Sequence, residues 1–323
     1  MGLFGVILAL SELNGYFTFI PSNILQNRLP SLINIVHMRK LLLVVLLFPM
    51  ISFGQKRLHL TAFGGFANYQ GDLQSKPFTL EQSAGALGLG LQYNLTPHLS
   101  IRTGFNYGRI EGDDKKNKPT LQLRNLSFHT KILEGNLLGE YSLFDLNDRT
   151  ISPYVFAGVA MFHFNPYALD TSGNKIFLQP LGTEGQGLSP YNREPYKKIQ
   201  FAIPFGGGIK FRVTENAVLG FEIGMRKLLT DYLDDVSTTY INPIALGLGR
   251  GQKAVEMAYR GGEIKNGDPL YPPEGTLRGS EKFKDWYYFS GLTLAVGIGD
   301  GNLNFGGVGN RKVKSSVDCP KVY

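Results

Sequence analysis

Apolar and polar residues alternate along this chain in blocks, each about ten residues long, the length of a membrane-crossing strand. From His98 to Tyr107, Leu99, Ile101, Thr103, Phe105 and Tyr107 share one parity, and Ser100, Arg102, Gly104 and Asn106 share the other. Ala217 to Arg226 repeats the pattern, with Leu219, Phe221, Ile223 and Met225 against Gly220, Glu222, Gly224 and Arg226. A strict period of two makes a strand with two unlike faces. Charged residues on the second face mean that it meets water or other charges and not an apolar core. The blocks predict strands over 57–69, 83–95, 98–110, 126–143, 152–164, 199–213, 216–230 and 286–299.

The connections between these strands fall into two classes. Thr96-Pro97, Phe144 to Arg149 and Thr214-Glu215-Asn216 are short and built from turn-forming residues. The stretches 70–82, 111–125, 165–198 and 231–285 are long, and long and short alternate along the chain. The expectation is an all-β fold, an eight-stranded antiparallel up-and-down transmembrane β-barrel with short periplasmic turns, long extracellular loops and both ends on the periplasmic side. A soluble sandwich or lipocalin also has alternating strands, but it gives no reason for loop lengths to segregate.

The two faces can be assigned from parity. Leu87, Leu89, Leu91 and Tyr93, then Phe201, Ile203, Phe205, Ile209 and Phe211, then Leu292, Leu294, Val296 and Ile298 are expected to face lipid. Tyr93, Tyr107, Tyr141, Trp286, Tyr287 and Tyr288 sit near strand ends and suit interfacial girdles. Arg102, Glu134, Glu140, Lys210, Arg212, Glu222 and Arg226 are the expected interior charges. Both signs are present, and eight strands enclose a lumen just wide enough for its own side chains. Opposite charges are therefore expected to pair and plug it, leaving no wide pore. Glycine recurs inside strands, as at Gly206-Gly207-Gly208, where it relieves crowding and permits curvature. That triplet lacks the following Lys-Ser/Thr of a phosphate loop.

Targeting signals divide the chain. Met38-Arg39-Lys40, the apolar run Leu41 to Phe48 and a small residue at Gly54 read as a signal peptide over 38–54. Residues 1–37 read as an extension translated from an earlier start codon, 55–300 as the barrel and 301–323 as a periplasmic tail. Removing 1–54 takes away Arg28, Arg39, Lys40 and Glu12 and leaves 30 basic against 25 acidic residues. That balance is mild and without a basic stripe, so nucleic acid is not an expected partner. The lone Cys319 forms no internal disulfide.

Candidate chemistry is sparse. The histidines, His37, His59, His98, His129 and His163, have no paired ligand spacing, and no G-x-S-x-G occurs. The densest acidic run is Thr230 to Ser237, with Asp231, Tyr232, Asp234 and Asp235. Its spacing is not that of a calcium loop, and it reads as a barrel rim where acids cap a loop. The 231–285 connection, with Gly261-Gly262 and Tyr271-Pro272-Pro273, reads as irregular. No cofactor and no catalytic set is expected, so the chain reads as a non-enzyme.

Tyr196 to Tyr240 resembles the outer-membrane barrel family that includes the PorG component of the type IX secretion system. The resemblance rests on Ile203 to Lys210, on Phe221-Glu222-Ile223-Gly224 with Arg226, and on Thr230 to Ser237; Gly64 to Tyr69, Gly71-Asp72-Leu73 and Ser152 to Gly158 also fit. It implies a non-enzymatic anchor or assembly component, held in outer-membrane lipid and contacting periplasmic secretion-ring proteins. The competing expectation is a small barrel that binds or transports an apolar ligand, with the loop holding Tyr191 and Tyr196 folded inward or gating an opening.

Overall fold

A computed structural model describes residues 58–298 apart from 77, 78, 80 and 266. The expected leader, N-terminal extension and C-terminal tail lie outside the described residues. Eight long strands form one antiparallel sheet: β1 (Leu58–Gln70), β2 (Ser83–Asn94), β3 (Leu99–Asp113), β4 (Ser127–Ser142), β5 (Ile151–His163), β8 (Ile199–Arg212), β9 (Ala217–Leu228) and β10 (Trp286–Gly297). The sheet runs β3-β2-β1-β10-β9-β8-β5-β4, and β3 pairs with β4 to close it. A short hairpin, β6 (Tyr167–Leu169) and β7 (Lys175–Phe177), hangs from β4 through His129 and Tyr167. Closure satisfies the backbone of the ring without an edge strand, which is the condition for a sheet to cross a bilayer. The strand limits fall within three residues of those expected from alternation.

Parity along each strand decides what faces out. On β3, Leu99, Ile101 and Phe105 are exposed while Ser100 is buried between them. On β8, Phe201, Ile203, Ile209 and Phe211 are exposed while Ala202 and Lys210 are buried. Leu87 and Leu89 on β2, Val155, Val159 and Met161 on β5, and Leu292 and Leu294 on β10 continue the same outward belt. A ring of exposed Leu, Ile, Val and Phe around a polar interior is stable only with hydrocarbon outside. The chain is therefore an integral outer-membrane β-barrel. Among the described residues no helix is long and apolar enough to cross a membrane; the strands do the crossing.

The girdle assignment needs correction at two positions. Tyr141 is exposed on the outer face, but Tyr287 and Tyr288 are both buried. Tyr287 shares parity with Phe289 and points into the barrel. Tyr288 hydrogen-bonds Gln70 where the chain after β1 folds over the rim.

The long connections differ from expectation more than the strands do. The 229–285 stretch is folded, carrying two helices after a short one between β3 and β4: α1 (Pro119–Gln122), α2 (Pro243–Arg250) and α3 (Gln252–Ala258). Asn242 caps α2 by accepting from the N–H groups of Ile244 and Ala245, with Pro243 in its first turn. Ile241, Leu246, Ala254 and Ala258 form a small apolar core of their own. Together the four long connections make a cap over one end of the barrel.

Candidate functional site

Three layers fill the axis of the molecule. The lowest is a network of ion pairs in the lumen. Glu140, on β4, accepts from Lys210 of β8 and from Ser100 at 2.9 Å, with Arg102 4.0 Å away. Arg102 bridges to Glu222 of β9 at 2.7 Å, and Glu222 also accepts from the Tyr154 hydroxyl at 2.8 Å. Higher up, Glu134 accepts from Arg226 Nε at 3.0 Å, Tyr287 at 2.7 Å, Asn106 at 2.8 Å and Asn136 at 2.8 Å. Three carboxylates thus meet three cations. Paired and hydrogen-bonded, such charges can stay in a low-dielectric interior. Arg212, also expected inside, does not join them: at the end of β8 it donates to the Asn147 carbonyl at 3.2 Å in the β4–β5 turn. It shares the inward parity of Lys210, but the strand has already left the lumen.

The space left is small. A void of about 50 Å³ lies among Gly88, Arg102, Asn106, Lys210 and Glu222. That is room for a few waters. Glycines make room for the bulky neighbours: a side chain at Gly224 would collide with the Arg226 guanidinium, and one at Gly208 with the Tyr154 ring at 2.9 Å.

The middle layer is aromatic. Tyr69 and Phe128 meet edge to face at 4.8 Å, and Phe162, Tyr287 and Phe289 follow at 5.4 and 5.5 Å. All five are at most 2% exposed, so this layer separates the lumen from the cap.

The upper layer is the buried polar heart of the cap, and here the acidic run proves to be no exposed rim. Asp231, Asp234 and Asp235 are buried and Tyr232 nearly so. Asp235 accepts from Thr183 at 2.6 Å and Tyr196 at 2.7 Å. Asp234 accepts from Tyr69 at 2.5 Å and from the Val236 N–H at 2.9 Å. Asp231 accepts from Ser237 at 2.8 Å. Tyr232 stacks on Tyr196 at 5.0 Å, and Tyr196 on Phe164 at 5.9 Å. The loop tyrosines fold inward: Tyr196 is built into the cap, and the Tyr191 hydroxyl accepts from the Asn242 N–H at 3.1 Å.

Several residues of this layer have no local sequence signal. Arg278 donates to Glu184 at 2.9 Å and to the Asp235 carbonyl at 2.6 Å, and Glu184 also accepts the Ser237 and Thr238 N–H groups at 2.9 and 3.0 Å. Arg124 grips Asp114 at 2.7 and 2.9 Å and donates to the Asp72 carbonyl at 2.8 Å. Asp285 takes the Leu233 N–H at 2.9 Å and lies 3.1 Å from the Tyr69 hydroxyl, which Asp234 also contacts. One hydroxyl hydrogen cannot serve both carboxylates, so one of the two acids must hold a proton or stay unbonded there. Among the described residues no group of three or more His, Cys, Asp or Glu is placed to hold a metal ion.

Six buried carboxyls, Asp114, Glu184, Asp231, Asp234, Asp235 and Asp285, and the half-buried Asp72 lie around the buried arginines Arg124 and Arg278. Burial first, and neighbouring acids after it, raise the proton affinity of several of them. Burial, then the charge of Asp72, holds Asp234 well above the usual carboxylate range, and burial, then Asp234 and Asp231, does so for Asp285. Burial pushes Asp231 up to about 7 against the Ser237 hydroxyl and Lys284. It pushes Asp235 up to about 6 against Arg278, Thr183 and Tyr196.

A carboxyl whose proton is held more tightly in the folded cap keeps that proton while the unfolded chain, with carboxyls near 4, has lost it. The folded cap is therefore favoured at low pH and loses stability as pH rises from about 4 through 6 and 7, where Asp235 and Asp231 give up their protons. Amide hydrogen exchange over 229–285, corrected for intrinsic rates, should show protection falling between about pH 5 and pH 8. Protection that is flat or rises over that range would contradict the charge imbalance.

A family model described as a domain of unknown function, DUF6089, matches residues 39–177, which take in β1 to β7 and stop before the second half of the barrel and the helical part of the cap. No curated protein matches the chain. Solved structures similar to it include Neisserial surface protein A (TM-score 0.37, 10% identity, 75% of this chain and 97% of that one). The outer membrane protein OprG from Pseudomonas aeruginosa is similar as well (TM-score 0.37, 13% identity, 76% and 99%). So is Ail, the attachment invasion locus protein of Yersinia pestis (TM-score 0.35, 7% identity, 75% and 99%).

Proposed function

We propose that this outer-membrane β-barrel is a non-enzymatic anchor or assembly component of a type IX-like secretion complex, held in the outer membrane and contacting periplasmic ring proteins. The observation that carries the reading is the filled axis. Ion pairs occupy the lumen, an aromatic layer lies above them, and a folded cap closes that end. A body built this way offers surfaces and rigidity instead of a path. The likeness of Ile203 to Lys210 and of Thr230 to Ser237 to the secretion-system family supplies the kind of complex. An apolar cargo finds too little room in a 50 Å³ void among charged side chains, so transport through the lumen is the weaker reading.

Two measurements test this. Affinity purification of the tagged protein from gently solubilised native membranes, followed by mass spectrometry, should recover periplasmic ring components. Recovery of the barrel alone, with intact rings elsewhere in the preparation, would refute the assembly role. In planar lipid bilayers the purified protein should give no stable conductance steps, whereas regular steps would return the lumen to consideration as a path.

A further inference from the structure

A cleft of about 560 Å³ opens where the cap meets the outer rim of the barrel, lined by Lys118, Lys227, Lys282, Lys284, Phe283 and Trp286 together with the chain that follows β1. All four lysines are exposed, and among the described residues none forms an ion pair. The cleft also contains Asp72, whose carboxylate is engaged by the Ser280 N–H at 3.0 Å and whose carbonyl is taken by Arg124 and Asn117. Four exposed cations therefore share a space with one acid that is already occupied.

The register fixes the level of this cleft against the membrane. Lys227 pairs with Trp286 of β10 on one side and with Ile203 of β8 on the other. Ile203 belongs to the exposed apolar belt, and Trp286 packs edge to face on Phe205 of β8 at 5.9 Å. The Lys227 ammonium lies 5.9 Å from the Trp286 ring. A tryptophan and a lysine at the upper limit of an apolar belt mark the boundary between acyl chains and headgroups. This boundary is on the side of the long loops, which is the outer leaflet.

We infer that this cleft binds the phosphorylated headgroup of an outer-leaflet glycolipid, with Lys118, Lys227, Lys282 and Lys284 around its phosphates and its acyl chains along the apolar belt below Trp286. Lysine suits a phosphate as a point charge, and several of them match a headgroup carrying more than one phosphate. A free anion would use the same charges, but only a lipid would also use a cleft that opens onto the belt.

Trp286 is the single tryptophan of the chain, so its emission reports on the cleft directly. The full protein, in nanodiscs of phosphatidylcholine doped with increasing lipid A, should show a saturable and salt-sensitive change in tryptophan emission. The variant K227A/K282A/K284A should need about tenfold more lipid A for half the change. The K227R/K282R/K284R variant should keep the wild-type response, and heat-modifiable gel mobility would confirm that both variants are folded. No saturable change, or the same titration in wild type and alanine variant, would overturn the site. Inorganic pyrophosphate giving the same response at the same concentration would overturn the lipid assignment in favour of a free anion. Phosphatidylglycerol matching lipid A at equal charge would overturn the choice of glycolipid.

Discussion

Replacing Arg226 with methionine is expected to lower the unfolding free energy of the barrel by about 3–5 kcal/mol, the usual cost of leaving a buried charge without its partner. Arg226 is 1% exposed, and its guanidinium lies against Glu134 at 3.0 Å and over the Phe289 ring at 4.5 Å. Methionine fills much of the same volume, so little of the loss comes from a cavity. What remains is a Glu134 carboxylate with Tyr287, Asn106 and Asn136 as neutral donors and no cation. Adding Glu134→Gln should recover most of the loss, because the amide removes the stranded charge and keeps acceptor capacity for those donors. Urea titration in lipid vesicles, followed by the shift of the folded band on unheated gels, measures both variants and the pair. If Arg226→Met costs under about 1 kcal/mol, the pair is solvated like a surface ion pair and the lumen is wetter than its packing implies.

The barrel was legible in the sequence and the cap was not, for a physical reason. A membrane strand meets two unlike solvents, one on each face, and that contrast is written as alternation every second residue. Leu219, Phe221 and Ile223 against Glu222 and Arg226 needed no knowledge of any other strand. Tyr287 was open to the same logic: with Leu292 and Leu294 outward, its parity is inward, and only its place at a strand end suggested a girdle. Tyr288 was beyond parity, since it is covered by chain that folds back over the rim. The cap acids were misplaced because local composition reports the average environment of a segment, not its partners. Glu184 and Arg278 are 94 residues apart, and the Asp72 carboxylate meets the Ser280 N–H from 208 residues away. A run such as Asp234-Asp235 reads as solvated until those distant donors are in place. Arg278, Glu184 and Asp285 carry no pattern of their own that would have flagged them.

That dependence on distant partners makes the cap the place where one substitution should separate two parts of the molecule. Arg278→Met is expected to release the cap while leaving the barrel closed. The side chain is buried and holds three connections at once: Glu184 at 2.9 Å from the β5–β8 segment, the Asp235 carbonyl at 2.6 Å, and the Ala258 carbonyl at 3.2 Å at the end of α3. With Arg124 it is set against the six buried carboxyls of this layer, so its loss deepens the charge excess as well as cutting contacts. The expected cost to the cap is again about 3–5 kcal/mol. The barrel is held by its own closed ladder and by the Arg226, Arg102 and Lys210 pairs, none of which touches Arg278. Hydrogen exchange should therefore rise steeply over 165–198 and 229–285 and stay low in the eight long strands, with heat-modifiable mobility unchanged. Because protonation removes the excess charge, exchange in the variant should fall back as pH drops toward 5, more than it does in the wild type. Uniform loss of protection in strands and cap together would show that the two fold as one cooperative unit, and that Arg278 stabilises the whole barrel instead of its cover alone.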